Sequence, residues 1–148
     1  MTNGKPSQLA RELKRIGSDY TRAEGTRIIR KLSIDAFRNL VMLSAVDTGF
    51  LRSNWHMDTG APDESVLKNS LPSAKKTGGS PSLPGAKLST FKSKLGDKIT
   101  IFNNTEYARH LEDGTPHMRA QPMVRPTYYR VLSQAKQLTN ALSRKRVN

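Results

Sequence analysis

The chain has 148 residues, 35% of them hydrophobic, and its 25 Lys and Arg against 12 Asp and Glu give a formal net charge of +13. It contains no cysteine, which excludes disulfides, thiolate nucleophiles and zinc–thiolate centres. No apolar run is long enough to span a bilayer, and the polar start "MTNGKPSQLARELKR" lacks the apolar stretch of a signal peptide, so the expectation is cytoplasmic synthesis and no membrane partner.

A mean hydropathy of −0.62 predicts a modest core, and the length fits a single domain over 1–148. The basic excess predicts attraction to polyanions, nucleic acid first. The cations are nevertheless spread along the chain (Lys14 and Arg15, Arg30 and Lys31, Lys75 and Lys76, Arg144 to Arg146), a pattern that equally describes a solvated mixed surface.

Residues 7–46 carry helical periodicity. Ile28, Leu32, Ala36 and Leu40 repeat every fourth position beside Ile29, Phe37 and Val41, which draws one apolar stripe between charged flanks. Ser18 or Asp19 can cap a new helix, so the spacing predicts a short helix over about 7–16 and a long one over about 19–45. "DTGFLRSNWHM" then reads as a turn leading into a strand. Residues 60–87 are rich in Pro, Gly and Ser and read as a long arm or loop. "KLSTFKSKLGDKITIFNN", 87–104, reads as a β-hairpin around Gly96-Asp97, with Ile99 and Ile101 on one face and Thr100 and Phe102 on the other. A short helix over 105–114 follows, with Thr105 as N-cap and Gly114 as stop. Pro126 opens a last helix whose stripe is Tyr128, Val131, Leu132, Ala135, Leu138 and Leu142, ending at about 143.

Two Asp-Thr-Gly triplets, 47–49 and 58–60, match the catalytic loop of an aspartic protease. That chemistry needs two carboxylates sharing one proton on rigid loops that leave apolar strands. Asp58 follows the polar "SNWHM" and Asp47 follows a helix, so both triplets read instead as turn chemistry: Asp and Thr bond nearby amides while Gly takes positive φ. His56, His110 and His117 lack metal-ligand spacing, and "TGGS" lacks the Lys and helix of a phosphate loop. The expectation is a protein with no cofactor, no metal and no enzymatic activity.

Three ordered blocks carry a resemblance. They are Val46, Asp47, Thr48, Gly49, Leu51, Arg52 and Ser53; then Asn103 or Asn104, Tyr107, Ala108, Glu112, Gly114 and Thr115; then Ala120, Pro122 and Pro126. In order and spacing the chain resembles the tail-completion and head–tail joining proteins of long-tailed bacteriophages. The arm at 60–87 stands outside the match.

The resemblance implies an α+β fold in which a long N-terminal helix and a C-terminal helix pack on a small antiparallel β-sheet. It implies a non-enzymatic virion component, made in the host cytoplasm and built into the neck as a homo-oligomeric ring, sixfold in many relatives. Its neighbours would be head-completion or connector proteins, tail-terminator or tail-tube proteins, and DNA passing through the channel without sequence preference. Within the motif, Arg52 and Glu112 have opposite charge and are expected to pair across the blocks, while Tyr107 offers a ring to the core and a hydroxyl to the surface. Leu71, Lys75, Lys76 and Leu83 are the arm residues expected to meet a partner. The alternative function is that of a basic nucleic-acid-binding accessory protein.

Overall fold

The computed structural model describes residues 6–45, 49–59 and 92–147, and the whole arm at 60–87 lies outside them. The fold is α+β. In chain order come α1 (Pro6–Asp19), α2 (Arg22–Leu43), a single turn α3 (Phe50–Ser53), β1 (Trp55–Asp58), β2 (Thr100–Asn103), α4 (Ala108–Asp113) and α5 (Val124–Val147).

The break between α1 and α2 falls later than the sequence predicts. Helix α1 runs through Ser18, whose hydroxyl bonds back to the Arg15 carbonyl at 3.0 Å. The cap of α2 is Thr21, not Ser18 or Asp19. The Thr21 Oγ1 accepts the Glu24 amide at 3.3 Å, and the Glu24 carboxylate accepts the Thr21 amide at 3.2 Å. This reciprocal box satisfies two amides at once, where a lone Ser or Asp satisfies one.

The expected stripe of α2 is the spine of the molecule. Leu32 and Ala36 face one cluster, with Ile16 of α1 and Val131 and Ala135 of α5. Phe37, Leu40 and Val41 face a second, with Leu51, Trp55, Met57, Leu111 and Met123. Ile101 of β2 touches both. Part-buried polar bonds join the helices: Asn39 donates to the Thr127 hydroxyl at 2.8 Å, and the Thr139 hydroxyl donates to Glu12 at 2.8 Å.

Residues 50–53 coil into α3 before the strand begins, so the strand expected directly after the turn starts only at Trp55. Of the hairpin expected over 87–104, residues 87–91 lie outside the described residues, and the described part, 92–104, differs from the expectation. Its turn exists, since the Asp97 amide bonds the Lys94 carbonyl at 3.0 Å, but β2 pairs antiparallel with β1, Met57 opposite Ile101 and Trp55 opposite Asn103. A local hairpin would have set Ile101 against a run carrying Lys92 and Lys94, whereas β1 offers Trp55 and Met57 for burial. The predicted faces hold: Ile99 and Ile101 pack on the core, and Phe102 stacks on His56 on the other side with ring centroids 5.2 Å apart.

Helix α4 starts at Ala108 rather than Thr105, because Thr105 donates its amide and hydroxyl to the Asn103 side chain instead of capping. Gly114 ends it as expected, at φ 77 and ψ 175, a region essentially closed to side chains. Pro126 lies in the first turn of α5, which continues to Val147, past the expected end. No helix among the described residues is long and apolar enough to cross a membrane.

Gly114→Ala tests this corner. A Cβ there would meet the Ala120 amide nitrogen at 2.9 Å, so backbone must move in addition to the φ strain. Urea unfolding should show a loss of at least about 2 kcal/mol. A midpoint equal to that of the wild type would show that the stop of α4 is misplaced.

Candidate functional site

The first motif block lies about 50 residues before the second and third, which nearly adjoin, and the described residues of all three are joined by hydrogen bonds. Gly49 adopts the left-handed region, φ 74 and ψ 2, and starts α3; this is the conformation the turn reading requires of it. Asp47 and Thr48 lie outside the described residues, as do Leu71, Lys75, Lys76 and Leu83. Leu51 is buried beside Trp55 and Leu111, and its carbonyl accepts the Asn103 side-chain amide at 2.9 Å, which ties the first block to the second. Tyr107 is stacked on Phe50, 6.4 Å between centroids, but it is an exposed ring and not a core one.

Arg52 and Glu112 do not form the expected ion pair. Arg52 is buried, 7% exposed, and donates Nε to the Ser44 carbonyl at 2.9 Å and Nη2 to the Met42 carbonyl at 3.3 Å. These carbonyls belong to the C-terminal end of α2, where a cation is favoured by the helix dipole. Burial pushes the guanidinium pKa down, through loss of hydration. Glu112 does the opposite work at the start of α5. Its Oε2 accepts the Met123 and Val124 amides at 2.6 and 2.9 Å, and its Oε1 accepts the Arg125 amide at 3.0 Å.

The backbone accounting at that helix start then closes. Pro126 has no N–H, and the Thr127 amide bonds the Met123 carbonyl at 3.4 Å. A buried guanidinium left without acceptors costs about 1–3 kcal/mol or more, which the α2 carbonyls avert.

Ser44 joins the two helix ends, and no sequence signal singled it out. Its hydroxyl donates to the Leu40 carbonyl at 2.7 Å, accepts the Trp55 indole N–H at 2.8 Å, and lies 3.2 Å from the Met123 sulfur. The only hint was the chain's single Trp, whose N–H needs an acceptor when buried. Thr115 closes a tight loop with Met118, each donating its amide to the other's carbonyl, at 2.9 and 3.1 Å. Pro122 is half-buried just ahead of Met123.

The outer rim of this corner is apolar. Met42 and Leu43, 51% and 42% exposed, immediately precede Ser44; Val124, 51% exposed, immediately follows Met123. A groove of about 260 Å³ at Val124 is lined by Ile101, Phe102, Ala108 and Met123, with Arg109, Glu112 and Asp113 along its edge. Elsewhere, the Asp58 carboxylate accepts the Thr59 amide at 2.7 Å at the end of β1, as turn chemistry expects. Among the described residues, no group of three or more His, Asp or Glu is placed to hold a metal ion. No family model, curated protein or solved structure matches the chain.

Because each charge serves its own helix end, Glu112→Ala should cost about 1–2 kcal/mol and Arg52→Ala about 2–3 kcal/mol. The two losses should add, with a coupling energy below about 0.5 kcal/mol in a double-mutant cycle. Coupling of 1 kcal/mol or more, favouring the pair, would restore the direct ion pair.

Proposed function

We propose that the chain is a structural, non-enzymatic component of a tailed-phage neck that completes the tail and joins it to the head around the DNA channel. The observation that carries this reading is that the three blocks of the resemblance converge on one corner, where Arg52 and Glu112 fix two helix ends under an exposed apolar rim. A monomer gains nothing by holding Met42, Leu43 and Val124 in water, and such a rim on a rigid base suits a surface that meets another subunit. In this reading the chain forms a ring, works in the virion, and touches connector or head-completion proteins on one side and tail-terminator or tail-tube proteins on the other. The arm residues Leu71, Lys75, Lys76 and Leu83 belong to those contacts.

The second reading, a basic accessory protein that binds nucleic acid, draws on the net charge of +13.

Light scattering on the purified chain, alone and with its connector, should give a mass several times 16.5 kDa, and Met42→Glu with Val124→Glu should return it to the monomer. A nonsense allele in the encoding phage should accumulate DNA-filled heads and finished tails side by side. Normal yields of infectious particles from that allele would overturn the neck reading.

A further inference from the structure

Helix α1 has two faces. Leu9, Leu13, Ile16 and Tyr20 turn to the core, while Gln8, Arg11, Glu12 and Arg15 stand together along one edge at helical spacing. With Lys136 of α5 these four line a groove of about 290 Å³ between the two helices. The groove contains three cations and one carboxylate. Glu12 is already engaged, since it accepts the Thr139 hydroxyl at 2.8 Å and faces Arg15 at 3.8 Å, with its side chain only 15% exposed. Arg11 is steadied by its Nε bond to the Ser7 carbonyl at 3.2 Å, which leaves the rest of its fork open. Arg15 remains half exposed, and the Lys136 ammonium makes no hydrogen bond or ion pair among the described residues. A fixed, concave concentration of positive charge with open donors is the result.

We propose that this groove is where the chain holds the sugar–phosphate backbone of duplex DNA, with Arg11, Arg15 and Lys136 each neutralising a phosphate. The lining decides between DNA and an acidic protein. Protein interfaces are anchored by buried aromatic or aliphatic side chains, and this groove offers none. A phosphate backbone needs no such anchor: it needs charge, and the planar donor fork of Arg matches phosphate oxygens two at a time. With no aromatic ring for stacking and no element entering a groove of the duplex, the contact is independent of sequence and driven by counterion release. The net charge of +13 adds long-range steering toward the polyanion. The inference concerns the chain alone and needs no ring. DNA binding by a protein that never enters a particle would leave it standing, and a ring that ignores DNA would end it.

The test is fluorescence anisotropy of a labelled duplex of about 20 base pairs, titrated with the full chain between about 50 and 200 mM salt. In Arg11→Gln/Arg15→Gln/Lys136→Gln, affinity should fall at least about tenfold and the slope of log K against log salt should flatten by about 2 to 3. Removing equal charge from the exposed outer side of α2, in Arg27→Gln/Arg30→Gln/Arg38→Gln, should change the slope by less than about 1. Lys136→Gln alone breaks no bond of the fold and should still flatten the slope by about 1. Equal losses in the two triple variants, or an unchanged slope in Lys136→Gln, would overturn the proposal. So would a groove variant that keeps its hold on DNA and loses only a labelled polyglutamate peptide.

Discussion

A buried guanidinium must find acceptors, and Arg52 finds them in the carbonyls that end α2. That choice organises the rest of the corner. Helix α2 is the spine on which both apolar clusters assemble, so the place where it stops determines where α3, β1 and the second cluster begin. Ser44 continues the arrangement from the same helix end, with Trp55 donating to its hydroxyl and the Met123 sulfur beside it. Glu112 then fixes the opposite pole, the first amides of α5. Two opposite charges, each matched to the helix dipole it faces, hold the ends of two long helices side by side.

The same caps bear on the exposed apolar side chains. Met42 and Val124 are each bonded through their backbone to a cap, and Leu43 lies between the two residues whose carbonyls hold Arg52. A flexible apolar rim would lose ordering entropy on docking, whereas a fixed rim loses little. The same frame separates two kinds of surface. The apolar corner suits a protein neighbour, and the polar, cationic groove between α1 and α5 suits a phosphate backbone.

Much of the frame was legible in the sequence because it depends on local rules. The every-fourth-residue stripes of α2 and α5 exposed their core faces, and Gly49, Gly96 and Gly114 marked the three reversals among the described residues that take positive φ. What escaped depends on partners that a sequence does not display. Among the described residues the acceptors of Arg52 are carbonyls and the donors to Glu112 are amides, and every residue has a carbonyl; a search for charges therefore matched the two side chains with each other. Likewise β2 was given its nearest neighbour in the chain, although the apolar face of Trp55 and Met57 lay about 45 residues away. The α2 cap was readable, since Thr21 and Glu24 have the spacing of a capping box, but the adjacent Gly-Ser-Asp drew the boundary too early.

The most direct measurement is amide nuclear magnetic resonance of the intact chain beside its Glu112→Ala variant. If Glu112 caps α5, the amide protons of Met123, Val124 and Arg125 should lie downfield in the wild type and shift upfield together in the variant, with the amides of mid-helix α5 unmoved. Amides at 123–125 that ignore the substitution, while the Arg52 Nε proton responds to it, would show that the two charges face each other after all and would contradict the account.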